Sequence, residues 1–269
     1  AFLSNYLKWE LAGYYNMEKI WISEKGIENK KDLIWVDLDI LPQAGRTLGG
    51  HIVKLNDSIP RGFNTSCNPN ILLNLSNHDF KKKYPLSTLA FLMWLFDTKI
   101  PQKLFGKFLI LHSDAIWLKY QKYGKNFNDW LELLDGYDWK RLFKNIDTIG
   151  YERQVDQVFY PELIQLGAIS GFSKLSSKHL KIKSRESKFN PDWDEDIILN
   201  LLNLFAEHLL WNPLSIPKIK KKISGKKYTI SIEEVNKMGL NKFIKNKKIF
   251  SYAITSPTTI KYTVFDAIK

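Results

Sequence analysis

Cysteine occurs once in the 269 residues, at Cys67, so no internal disulfide can form and a cysteine-rich zinc site lacks its ligands. Long apolar runs are also missing. The longest, from Leu86 to Phe96, falls short of the roughly 18 residues that a membrane-spanning helix needs, so no span is expected. No internal repeat and no low-complexity tract is present. A lone thiol fits a reducing compartment or no particular one, and the cytoplasm is the default expectation. Acidic residues are scarce as well: 28 Asp and Glu face 40 Lys and Arg, which leaves a net charge of +12 and a pI near 9.4.

That imbalance favours a polyanionic partner. Counterion release makes basic surfaces bind nucleic acid strongly, and anionic membranes attract them too. The competing reading is general basicity, since the chain is rich in Lys, Asn and Ile throughout. At 31.5 kDa it can form one large domain or two small ones with ample core.

Periodicity predicts an α/β or α+β fold: a mixed sheet flanked by helices, with a small basic β-rich C-terminal part. The expected division is a mixed core over residues 1–175, and a helix plus basic strands over 176–269. The opening Phe2 to Leu11 has helical spacing. Leu33 to Leu41 reads as a strand stopped by Pro42, and His51 to Leu55 as a second that could pair with it as an antiparallel hairpin. Residues 56–85, rich in Asn, Ser, Pro and Gly, read as loop. Beyond them come a buried helix over Leu86 to Phe96 and a buried strand over Phe105 to Leu111, then amphipathic helices over Ala115 to Tyr123 and Asn128 to Leu134. Gly167 to Lys188 reads as a basic connector. Asp192 to Asp196 gives the following helix, Ile197 to Trp211, an acidic start. Strands over Lys226 to Ile232, Ile249 to Ile254 and Thr258 to Phe265 close the chain.

The strongest chemical signal is Ile34-Trp35-Val36-Asp37-Leu38-Asp39-Ile40. Alternate strand residues share a face, so Asp37 and Asp39 could hold Mg²⁺ or Mn²⁺, which would offset their repulsion. The bland alternative is an exposed strand end with solvated carboxylates. The segment Gly45-Arg46-Thr47-Leu48-Gly49-Gly50-His51-Ile52-Val53-Lys54 follows closely. His51 or Lys54 could assist an attacking water; each is also plausible as a turn histidine or a snorkelling lysine. The glycine spacing matches neither a P-loop nor a dinucleotide fingerprint. It reads as a flexible tight loop whose backbone amides, with Arg46, could contact phosphate. Arg61, in Arg61-Gly62-Phe63-Asn64, is a further candidate for binding substrate. His112 and Asp114 follow the expected Phe105 to Leu111 strand, and ligands gather at the carboxyl ends of strands in open α/β sheets. The plainer roles for that pair are a core histidine and a helix cap.

The lysine clusters Lys81-Lys82-Lys83, Lys218 to Lys222 and Lys242 to Lys248 are either solvated surface or, if they share a face, a phosphate-tracking groove. The aspartate strand followed by Ile52-Val53-Lys54 resembles a restriction-type nuclease core, whose acidic-x-Lys tripeptide also has matches at Asp79-Phe80-Lys81, Asp138-Trp139-Lys140 and Glu186-Ser187-Lys188. Asp-x-Asp before Gly49-Gly50-His51 is similar to primase-like polymerases. Trp35-Val36-Asp37-Leu38-Asp39 also resembles the Asp-x-Asp motif of metal-dependent glycosyltransferases. In that likeness Phe2 to Leu11 matches a helix before the motif and Phe63-Asn64 a later acceptor loop, and a sugar nucleotide would be the substrate. The reading taken forward is a nucleic-acid-binding, Mg-dependent phosphodiester-processing enzyme such as an endonuclease. The alternatives are a glycosyltransferase using the same aspartates and a non-catalytic nucleic-acid-binding or assembly protein.

Overall fold

The computed structural model describes residues 1–43, 45–168 and 189–265. The connector tripeptide Glu186-Ser187-Lys188 and the expected division at 175/176 lie outside them. The protein is mixed α+β. Its strands are β1 (Gly13–Tyr15), β2 (Lys19–Ser23), β3 (Ile34–Val36), β4 (Arg46–Leu48), β5 (Ser66–Cys67), β6 (Ile219–Ser231), β7 (Ser251–Ser256) and β8 (Thr259–Phe265). An antiparallel five-stranded sheet runs β1-β2-β6-β8-β7, and a small parallel sheet runs β3-β4-β5. The chain forms two compact units: residues 1–11 with 89–216, and residues 12–88 with 217–269. All the strands among the described residues belong to the second.

In that unit, β6 is the strand against which both ends of the sheet assemble. Directly opposed residues share a face and neighbours alternate. From Lys221 onward, past the register shift at Ile22 and Ser23, the pairs Ile20↔Ile223 and Gly225↔Phe265 therefore put the odd-numbered residues of β6 on one face, while Tyr228↔Tyr262 and Ile230↔Ile260 put the even-numbered ones on the other. The odd face meets a core of Ile20, Ile22, Leu38, Leu41 and Phe250. Beyond Lys226 the even face meets a larger core around Phe243, Tyr252, Ile254, Ile260 and Tyr262. The helices Ile232–Met238 and Leu240–Asn246 contribute Val235, Leu240 and Phe243 to that larger core. The first of them starts at a capping box, in which Ser231 and Glu234 satisfy each other's backbone N–H.

The region from Leu33 to Leu41 departs from the expected strand and hairpin. Only Ile34 to Val36 is extended, because Asp37 turns into the left-handed region with φ 61°. β3 and β4 then run parallel, joined by residues 37–45 without a helix. Parallel neighbours ordinarily need a longer crossover that covers the sheet with a helix. Here the connection supplies its own burial, with Ile40 in one core and Leu38 and Leu41 in the other. Its apolar alternation serves a buried crossover. His51 to Leu55 likewise forms only isolated bridges, among them Ile52↔Ile254 and Lys54↔Ser76.

The other unit is helical among its described residues. The expected strand over Phe105 to Leu111 is the helix Leu104–His112, since a short apolar run does not by its period distinguish a buried helix from a strand. Gly106 lets it approach the helix Glu195–Leu209 closely: a Cβ there would fall 2.5 Å from the carbonyl oxygen of His208. The acidic residues Glu195 and Asp196 occupy that second helix's first turn, in keeping with its dipole. Phe127, Phe143, Trp117, Tyr120 and Tyr151 form the aromatic packing of this unit.

Phe243 is fully buried and packs edge-on against Tyr262, 5.2 Å between ring centroids. Phe243→Ala is expected to cost about 3–5 kcal/mol, read from the urea midpoint at constant slope.

Candidate functional site

The three parallel strands end together, and the polar groups of interest follow their carboxyl ends. β3 leads into Asp37, β4 into Gly49-Gly50-His51 and β5 into Asn68 and Asn70. The ladder continues past the strands, with Leu38 N–H donating to the Leu48 carbonyl at 3.1 Å and Gly49 N–H to the Cys67 carbonyl at 3.1 Å.

Asp39 organises this end. Its side chain is 12% exposed, and Oδ1 accepts from the backbone N–H of Gly50 at 3.0 Å and of His51 at 2.7 Å. The His51 Nδ1 lies 3.2 Å from the carboxylate. A carboxylate only accepts, so this nitrogen carries its proton here, and the chemistry of the ring falls to Nε2. Burial pushes the Asp39 carboxyl up, but the charge and ring hydrogen bond of His51 and the two backbone donors outweigh it and hold it below its ordinary value. The imidazole itself is 42% exposed.

Buried amides hold the other side of the same turn. Asn68 Nδ2 donates to the His51 carbonyl at 2.6 Å, and Asn70 Nδ2 to the Gly50 carbonyl at 2.8 Å. Both asparagines are 1% exposed. Asn70 Oδ1 in turn accepts from Tyr84 N–H at 2.8 Å. Gly49 is required by close approach: a Cβ would fall 2.6 Å from Asp39 Cα and 2.7 Å from its Oδ1. The glycine segment is therefore a pinned turn. Its amides are committed to Cys67 and Asp39, which removes them from the phosphate contact that the sequence suggested.

Asp37 has a different environment. It is exposed, and its Oδ1 accepts from Thr88 Oγ1 at 2.9 Å. Thr88 Oγ1 also lies 4.0 Å from the position of a Cβ on Gly50, so Asp37 and the His51 turn flank one hydroxyl. The two aspartates do not repeat one strand face, because Asp37 has left the strand. One carboxylate is spent on structure and the other faces solvent.

The remaining candidates have other surroundings. Lys54 is buried and its ammonium donates to Asn74 Oδ1 at 2.9 Å. Arg46 begins β4, at the opposite end of that strand from Gly49, with Nη2 3.3 Å from Asp32. Arg61 is exposed in the turn before Gly62, which has φ 85°. His112 and Asp114 belong to the helical unit. His112 ends a helix and not a strand, with Nε2 3.3 Å from the Tyr160 hydroxyl, and Asp114 accepts from Lys119 Nζ at 2.6 Å. Two of the acidic-x-Lys tripeptides are helix caps: Asp79 accepts from Ser76 N–H, and Asp138 from Arg141 N–H. Among the described residues no group of three or more His, Cys, Asp and Glu side chains converges as a metal cage, and no helix is long and apolar enough to cross a membrane.

Sequence reasoning missed Asn68, Asn70 and Thr88. Asn68-Pro69-Asn70 reads as turn chemistry, and Asn68 does cap the helix Pro69–Leu72, but the same amides reach back to carry Gly50 and His51. Compared with known proteins, the chain matches no protein family, no curated protein and no solved structure.

Gly49→Ala should displace Asp39 or the crossover backbone and cost about 1–3 kcal/mol, measured by urea unfolding. Acid titration of stability should show two windows. Burial lowers His112 from 6.5 to about 4, so between these pH values the unfolded chain binds a proton that the native one refuses, and stability falls as pH falls. His112→Gln should flatten that slope. The depressed Asp39 contributes stability present above the ordinary carboxylate pKa and lost below about pH 4, and Asp39→Asn should flatten only this lower window.

Proposed function

We propose that this protein binds nucleic acid and processes its phosphodiester backbone with Mg²⁺ or Mn²⁺, as an endonuclease or a related phosphodiesterase. The observation that carries the reading is the buried Asp39 carboxylate fixing a half-exposed His51 ring at the carboxyl ends of parallel strands, beside the exposed Asp37. Such strand ends are where ligands bind in open sheets that carry parallel strands. A carboxylate behind a histidine sets its tautomer and orientation, for proton transfer or for metal binding.

Asp37, the exposed carboxylate of the pair, would meet the cation in this scheme, with the Thr88 hydroxyl on it. Mg²⁺ takes few protein ligands, keeping waters and using substrate phosphates for the rest, so a sparse donor set suits it better than a cage. When bound, the ion would offset charge on the phosphate. His51 would accept the proton of a water attacking phosphorus as the bond to the leaving oxygen breaks. Asp39 is a positioning residue in this scheme. The net charge of +12 supports a polyanionic substrate.

Single-stranded and duplex DNA and RNA incubated with Mg²⁺ or Mn²⁺ test the reading. Cleavage should require the metal and fall about 100-fold or more in Asp37→Asn and in His51→Asn, with affinity for nucleic acid within about threefold of wild type. Undiminished cleavage in both variants would overturn the assignment. Binding of a sugar nucleotide with Mn²⁺, together with no cleavage of any nucleic acid, would replace it with the glycosyltransferase reading.

A further inference from the structure

The long central strand of the sheet carries a row of cations that the candidate site does not use. From Lys222 onward, Lys222, Ser224, Lys226 and Tyr228 lie on the even-numbered face of β6 and are all exposed. Residues two apart on a strand are about 6.6 Å apart. The one step lacking a lysine, Ser224, is paired directly with Lys19 of β2, which is exposed too. Lys222, Lys19 and Lys226 therefore place an ammonium at each of three successive steps along one face, while Lys220 lies at the register shift beside Ile22 and Ser23 and stands outside the row.

Lys19 lies with Nζ 5.7 Å from the ring centroid of Trp21, a buried residue paired with Lys222, so its aliphatic stem covers apolar surface while the charge stays at the edge of water. Glu24 lies 3.3 Å from Lys220, but both side chains are more than 60% exposed and the pair is weak. The row ends at Tyr228, which is 41% exposed and stacked on Tyr262 at 5.2 Å and 20°. One side of its ring is braced by a neighbour, and the exposed part of the ring can carry another flat group.

We propose that this face of β6 is a track for single-stranded nucleic acid, with Lys222, Lys19 and Lys226 following successive phosphates and Tyr228 stacking a base. The proposal rests on the nucleic-acid reading above and names the partner's form. Charge complementarity calls for a polyanion with charges at regular steps, and the exposed ring selects an unpaired strand, since bases in a duplex have no free face for it. Lys221, Lys227 and Lys261 are equally exposed but lie on the odd-numbered face, Lys261 through its pairing with Thr229. They form a control matched in charge and location.

Fluorescence anisotropy with a labelled single-stranded oligodeoxythymidine, without divalent metal, reads the track. Lys19→Gln/Lys222→Gln/Lys226→Gln should weaken binding at least tenfold at 0.1 M salt and lower the salt slope by about 2, at roughly 0.7 per lost phosphate contact. Lys221→Gln/Lys227→Gln/Lys261→Gln should stay within about threefold. Tyr228→Ala should lose about tenfold, and Tyr228→Phe should bind as wild type. Equal losses from the two triple variants would overturn the track, as would tighter binding to duplex of the same length or to vesicles of phosphatidylserine. Hydrolysis of bis(p-nitrophenyl) phosphate, which has no strand to follow, separates the two readings. Row variants that lose the oligonucleotide but keep this hydrolysis support the track, even where Asp37→Asn and His51→Asn fail to reduce cleavage and sink the site. Unchanged oligonucleotide affinity in the row variants overturns the track, even where Asp37→Asn abolishes cleavage and the site stands.

Discussion

A carboxylate buried in protein costs several kcal/mol unless donors replace the lost water, and the Asp39 carboxylate imposes that requirement on everything around it. Two backbone N–H groups and the His51 ring meet it, and each donor constrains its own neighbourhood. The turn must bring Gly50 and His51 within 3.0 Å of one oxygen, which leaves no room for a side chain at Gly49. The carbonyls of that turn then face inward and need partners, and Asn68 and Asn70 supply them from the end of the next strand. Removing Asp39 would therefore do more than delete one ion pair, since the donors gathered around it would be left buried without an acceptor.

The same strand end shows how the chain closes a parallel sheet without a helix. Residues 37–45 carry Leu38, Ile40 and Leu41 into two cores lying against opposite faces of the five-stranded sheet. Leu38 and Leu41 enter one core and Ile40 the other, so the side chains of the connection itself supply the burial that a covering helix would otherwise give. Asp39, between them, is placed by that packing. The left-handed Asp37 is the point at which the chain leaves the ladder, which explains why the two aspartates take different roles.

Part of the sheet is legible in the sequence: β7, β8 and the second half of β6 read as strands, whereas β1, β2 and the stretch from Ile219 to Gly225 do not. The helix Glu195–Leu209 is legible too, from its acidic first turn. The small parallel sheet is not, because its strands are two or three residues long and its connection imitates a strand. Phe105 to Leu111 misleads for a related reason: buried on most sides, it carries no amphipathic period to separate helix from strand. At the site, Asp37, Asp39 and His51 stand out because charge beside an apolar run demands explanation. Asn68, Asn70 and Thr88 do not, since uncharged turn formers look the same whether they cap a helix or brace a turn far along the chain.

Net charge is a weak guide to a partner until it is resolved by face. Forty basic residues in a chain rich in Lys and Asn would be spread over any fold. What distinguishes β6 is that a strand separates its neighbours by 180°, so a run such as Lys220-Lys221-Lys222 cannot present all its charges to one ligand. A continuous row then requires a lysine from elsewhere at each vacant step, and Lys19 stands opposite Ser224, where the even face lacks one. The opposite face has no matching aromatic terminus: Thr229, not a tyrosine, follows Lys227 in its alternation. The two faces thus carry similar charge and different chemistry. Electrostatic attraction alone would use them equally, whereas a partner with flat bases as well as phosphates would prefer the face that ends at Tyr228.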